Sequence, residues 1–234
     1  MVVDMARGGA LAMMIAYHFS FDLNLFARLG IDFDHDPRWL GFRVLIVSLF
    51  LLLVGVSLSL ARQQGLDRGR YLKRLGLLIG CAGLITLTTR VVFPDTYIFF
   101  GILHFIAVAS VLGLLTLRFY RLNLVLGLVC IAVGVGITHP WFDRAGLQWV
   151  GLMTHKPPTE DYVPLLPWFG VVLIGQFLGR WLIQMPEANV MRWTSQRPLP
   201  RLLAWGGRHS LLIYMAHQPL LFGLLYLYFR LRAF

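Results

Sequence analysis

Seven apolar stretches constrain this chain more than any other feature. They run over Arg7–Leu29, Leu40–Ala61, Leu75–Phe93, Tyr97–Leu117, Leu122–Thr138, Val163–Ile183 and His209–Leu231. Each is roughly 17 to 23 residues long, the length a helix needs to cross the hydrocarbon core of a bilayer. The chain is 58% hydrophobic, above the roughly 45–50% usual in soluble globular domains. No polar region is long enough for a second globular domain. The sequence therefore predicts an all-α fold, a polytopic membrane bundle of about seven transmembrane helices forming a single domain over 1–234. The first stretch lacks a small-residue cleavage site, so it is expected to stay as a span.

Charge orients the bundle. Seven spans place alternate connections on opposite sides. One side collects 13 basic residues against Asp4, Asp67 and Glu187, while the other holds eight basic and eight acidic residues. The basic side is expected to be cytoplasmic, which puts the N-terminus inside. A net charge of +10 is explained by this topology, and it also suits a polyanionic cytoplasmic ligand. No basic patch with interleaved aromatics stands outside the spans, so nucleic acid is not an expected partner.

Ionisable groups at membrane depth are costly and usually face a cavity or one another. In the first stretch His18 is eleven residues from Arg7 and four from Asp22. At 100° per residue all three lie on one helical stripe, with Arg7 about 16 Å toward the cytoplasmic end. A carboxylate one turn away is expected to hold the His18 imidazole in one tautomer and raise its basicity. His104 in "YIFFGILHFIAVAS" is expected seven residues inside the fourth span, about 10 Å deep. Arg43 and Arg90 stand at span ends, where a snorkelling anchor and a substrate contact are both open readings. Pro219 frees a backbone carbonyl near Met215, which His217 and Gln218 are placed to satisfy. Cys81 and Cys130 lie inside apolar runs and read as packed thiols. No spacing of His, Cys and carboxylates suggests a metal site.

The connections carry further signals. "GIDFDHDPRW" over Gly30–Trp39 sets three aspartates around His35. The segment His139–Tyr162, with its prolines and Asp161, reads as an ordered cap over the external mouth. Gln184–Arg208 reads as a basic linker along the membrane surface. "GLLIG" (Gly76–Gly80) and "GQFLG" (Gly175–Gly179) are small-residue pairs one turn apart, which suit close helix packing or a homodimer.

The blocks "RGGALAMMIAYHFSFDL", "LFLLLVGVSLSL", "FFGILHFIAVAS", "DYVPLLPWFGVVLIGQFLG" and "GRHSLLIYMAHQP" together resemble bacterial membrane proteins of the heparan-alpha-glucosaminide N-acetyltransferase catalytic-domain-like family. The first block is also similar to the wider transmembrane acyltransferase superfamily, in which an Arg precedes a His by eleven positions, as Arg7 precedes His18. The resemblance implies transfer of an acetyl or other acyl group from cytoplasmic acyl-CoA to an acceptor across a bacterial inner membrane, often a sugar or glycan. The loop histidine of the lysosomal member falls near His35, so His18 and His35 compete for the role of base.

Acyl transfer from a thioester needs a base for the attacking hydroxyl or amine. His18, supported by Asp22, is the expected base, and His104 is an expected oxyanion donor. A covalent acyl-histidine is the alternative route. Arg7 and the basic loop residues Arg70 and Arg74 are expected to hold CoA phosphates. Arg43, Arg90 and Asp161 are the expected acceptor contacts. A proton-coupled transporter and a structural membrane subunit are the competing classes.

Overall fold

The computed structural model describes residues 1–185 and 194–232. The described residues are built on helices: α1 (Val2–Ala27), α2 (Pro37–Gln63), α3 (Arg68–Val92), α4 (Ile102–Thr116), α5 (Arg121–Gly136), α6 (Leu165–Gln184), α7 (Pro198–Arg208) and α8 (Ser210–Arg232). Each of the seven expected stretches contains a helix. Five of them, α1, α2, α3, α6 and α8, are long and apolar enough to cross a membrane, while α4 and α5 are shorter apolar helices. The chain is therefore a multi-pass membrane protein by length and composition. Glu187 and Arg192, counted in the charge of the basic side, lie outside the described residues.

The residues group into two compact units, 1–50 with the C-terminal helices, and 51–186, with α2 running through both. In the first unit, α7 packs antiparallel on the start of α1. A Cβ at Gly8 would overlap the Leu203 backbone, and one at Gly207 would overlap the Asp4 backbone. Residues 198–208 of the expected surface linker thus form a helix seated on α1. The close approach needs glycine at both crossing points. Further along α1, Leu11, Met14 and Tyr17 bury themselves with Phe33 and Ile46. Tyr17 meets the edges of Phe33 and Trp39. The α1–α2 connection is further fixed by Asn24, whose amide donates to Ile31 O and accepts from Ile31 N, at 2.9 and 3.0 Å.

Along α8 the contacts to α1 advance in the same sense: His18 meets His217, Asp22 meets Gln218 and Phe26 meets Phe222. The two helices are parallel.

In the second unit, Gly175 and Gly179 pack on the α2 backbone at Leu52 and Val56. A Cβ added at Gly76 or Gly80 would meet nothing within 4 Å, so among the described residues the Gly175–Gly179 pair serves helix packing and the Gly76–Gly80 pair does not. A buried amide network locks this unit. Gln176, 2% exposed, accepts from Thr116 Oγ1 and Asn123 Nδ2 at 2.9 Å each and donates to Gly113 O at 2.8 Å. Helices in lipid gain little from apolar contact alone, and such interhelical bonds supply about 0.6–2 kcal/mol each. The outward face of α3, with Leu72, Leu87 and Val91 exposed, is left to the apolar phase.

Two helix starts differ from expectation for identifiable reasons. α3 begins at Arg68 rather than Leu75, because Asp67 caps it, accepting from Arg70 N at 3.0 Å. Arg70 and Arg74 thus stand on its first two turns rather than in a loop. α4 begins at Ile102 rather than Tyr97, because residues 96–100 run extended beside 159–163. Phe100 and Tyr162 form a parallel bridge, Glu160 N donates to Thr96 O at 3.0 Å, and Thr96 Oγ1 donates to Glu160 at 2.6 Å.

Candidate functional site

The first unit holds the most unusual polar cluster. Asp22 is 1% exposed and His217 is 8% exposed. Gln218 Nε2 donates to Asp22 Oδ1 at 2.9 Å. Asp22 Oδ2, Gln218 Oε1 and His217 Nε2 are buried and have no hydrogen-bond partner among the described residues. His217 Nδ1 is engaged by the Tyr214 carbonyl. The His18 ring lies 5.0 Å from the His217 ring, centroid to centroid, tilted by 58°. Buried polar atoms are normally satisfied, and three unsatisfied ones between α1 and α8 make this cluster the candidate site.

This arrangement revises the expected His18–Asp22 couple. Both residues share a stripe, but the Asp22 carboxylate is held by Gln218 and not by His18. The neighbour of His18 across the helix pair is His217. The sequence places Gln218 and His217 where they could satisfy the carbonyl freed by Pro219. Instead Gln218 reaches across to α1, and His217 turns to Tyr214 rather than Met215. A histidine and an amide beside a proline at membrane depth were visible in sequence; the partner helix was not.

Other first-unit candidates have definite surroundings. Arg7 Nη1 lies 3.4 Å from Asp4 Oδ1 and 3.4 Å from Gly207 O, at the C-terminal end of α7, where a cation suits the helix dipole. Arg43 interacts with the Tyr17 hydroxyl. His35 has an 85% exposed side chain and pairs with Asp32 at 3.0 Å. Asp32 also accepts from the backbone N–H groups of Asp34 and His35. Those bonds, the His35 N–H foremost, hold its carboxyl below the usual carboxylate range.

In the second unit His104 occupies the third position of α4, not a site seven residues into a span. Its Nδ1 accepts from Gly101 N at 3.3 Å, the role an acidic side chain usually takes in a capping box. That places the proton on Nε2, which donates to Thr86 Oγ1 at 3.0 Å. Thr86 in turn donates to Ile98 O at 2.7 Å. Both ring nitrogens are engaged within the chain. Asp161 Oδ2 accepts from Ile102 N at 2.8 Å, a carboxylate at a helix N-terminus where the dipole favours it. Arg90 lies over the Tyr97 ring at 5.4 Å.

The connection His139–Tyr162 is ordered, as expected. Asp143 accepts from Thr154 N and Thr154 Oγ1, both at 2.8 Å. The Thr154 N–H, foremost, holds its carboxyl below the ordinary value. Tyr162 donates to Gln148 O at 2.6 Å, and burial pushes its phenol up to about 12.

Arg70 and Arg74 share a cavity of about 250 Å³ with Tyr71, Asp67, Ser57 and Ser110. Arg70 Nε donates to Asp67 Oδ2 at 2.7 Å. The Tyr71 hydroxyl is buried and has no partner among the described residues. Two guanidinium groups and an unsatisfied hydroxyl around one opening fit an anionic group such as a phosphate. Tyr71 escaped the sequence reading because it lies among the basic residues of what read as a loop.

Comparison with curated proteins and with solved structures finds no match. The family model described as heparan-alpha-glucosaminide N-acetyltransferase, catalytic, matches residues 1–219, and the chain belongs to that family, whose activity in general is acetyl transfer.

Proposed function

We propose that the protein transfers an acetyl or related acyl group from cytoplasmic acyl-CoA to a hydroxyl or amine on the other face of a bacterial inner membrane. The acceptor class is a sugar or envelope glycan. Seven spans with the N-terminus inside are the topology of this reading. The parallel run of α1 and α8 supports it, since six crossings from the start of one to the start of the other return the chain to the same side.

The observation that carries the reading is the polar cluster on α1 and α8: a carboxylate and two imidazoles in an otherwise apolar helix pair, with buried atoms left unbonded. His18 takes the proton from the attacking group as that group adds to the thioester carbonyl. Asp22, held at one oxygen by Gln218, stabilises the positive charge that develops. Arg70, Arg74 and Tyr71 bind phosphate oxygens of the donor. General base catalysis of this kind contributes about 10²–10⁴ in rate.

The test is direct. Protein purified in detergent is expected to bind acetyl-CoA and to release CoA slowly without an acceptor. His18→Ala should fold and abolish that release. No binding of acetyl-CoA at millimolar concentration would sink the proposal.

A further inference from the structure

His217 has no role in the scheme above, yet its geometry is that of a working base. The Tyr214 carbonyl can only accept, so the bond to it fixes a proton on Nδ1 and leaves a lone pair on Nε2. That Nε2 is buried and has no hydrogen-bond partner among the described residues. A histidine kept only to tie helices together uses both nitrogens, as His104 does with Gly101 and Thr86. Leaving a buried acceptor unbonded is destabilising, and the fold tolerates this at a point where the His18 ring lies 5.0 Å away. Two imidazolium ions at that distance repel, so the pair can share one added proton but not two. Asp22 and Gln218 stand on the same two helices and present further unbonded oxygens.

The geometry points to His18 and His217 as a two-imidazole proton relay. The inference rests on the acyl-transfer reading for the source of the proton. As the acceptor oxygen or nitrogen bonds to the acyl carbon, its proton passes to one nitrogen of His18. A turn of the His18 ring toward its neighbour, 5.0 Å away, brings its other N–H to His217 Nε2, and that proton passes across. When the acyl–sulfur bond breaks, the CoA thiolate leaves with the electron pair. The proton then returns from His217 through His18 to the sulfur, giving the thiol and restoring both rings.

The test is a proton inventory, the rate of acetyl-CoA turnover in mixed H₂O and D₂O. Two protons moving together give a curved plot for the wild type. His217→Asn keeps an amide N–H for the Tyr214 carbonyl and removes the basic nitrogen. It is expected to keep its unfolding midpoint and acetyl-CoA affinity, to lose about 10²-fold in kcat, and to give a linear plot. A linear plot for the wild type overturns the relay even if no variant folds. His217→Asn within threefold of the wild-type rate also overturns it, and leaves the acyltransferase reading standing. A wild type inert toward acetyl-CoA overturns both together.

Discussion

Gln218 on α8 donates to Asp22 on α1 across 2.9 Å, in a pair of parallel helices where Asp22 is 1% exposed. Replacing Gln218 by Leu leaves both carboxylate oxygens of Asp22 buried without a donor. The expected loss is about 1–3 kcal/mol, read as a lower unfolding midpoint in detergent. Asp22→Asn keeps an acceptor for Gln218 and is expected to stay within about 1 kcal/mol of the wild type. It should nonetheless lose acyl-CoA turnover, because a neutral amide cannot stabilise a developing imidazolium. Equal stability losses in the two variants would show that the carboxylate matters only as packing.

The choice between His18 and His35 can be made by ranking. His35 is exposed and tied to Asp32 in a turn, so His35→Ala is expected to retain at least a third of the turnover. His18→Ala is expected to lose about 10²-fold or more. Initial rates of CoA release at saturating donor decide it, and the reverse ranking would move the chemistry into the α1–α2 connection.

Much of this was legible in the sequence because bilayer length and helical phase are one-dimensional signals. The seven apolar stretches, the α1 stripe of Arg7, His18 and Asp22, and the packing glycines Gly175 and Gly179 all follow from spacing. What failed were boundaries and partners. Asp67 and the pairing of 96–100 with 159–163 moved two helix starts, which made His104 the third residue of its helix, bonded to the Gly101 N–H. That Asp22 meets Gln218, and His18 meets His217, depends on which helix lies beside α1, and spacing within one helix carries no information about its neighbour.

The engagement of both His104 nitrogens predicts a stability effect before a catalytic one. His104→Ala frees Gly101 N–H and removes a donor from Thr86, an expected cost of about 1–2 kcal/mol. Thr86→Val breaks the second bond together with the one Thr86 donates to Ile98 O, and should cost about as much. If His104 instead supplies an oxyanion donor, His104→Ala would lower kcat by about 10²–10³ with an unchanged unfolding midpoint.

The His139–Tyr162 connection should respond to acid through Asp143. Its folded pKa lies below the ordinary 3.8, chiefly because of the Thr154 N–H. The unfolded segment therefore binds the proton more readily than the folded one. Order contributed by this carboxylate is fully present above pH 3.8 and is lost as pH falls through the lower folded value. Hydrogen exchange at Thr154 should accelerate over that window. Asp143→Asn should exchange faster at neutral pH and lose the acid dependence.

Arg74 and Arg70 line one cavity but differ in what holds them. Arg70 donates to Asp67 at 2.7 Å, so part of its charge is already matched. No carboxylate pairs with Arg74 among the described salt bridges. A bond between a guanidinium and a phosphate is worth about 1.5–3 kcal/mol. Arg74→Gln is therefore expected to raise KM for acetyl-CoA about tenfold or more with little change in kcat, the pattern of an interaction made equally in the ground and transition states. Arg70→Gln should raise it less, about threefold, because Asp67 loses its partner at the same time. Added salt should weaken donor binding in the wild type and flatten the difference between the variants. A fall in kcat at constant KM for Arg74→Gln would place that residue at the reacting centre rather than at the phosphates.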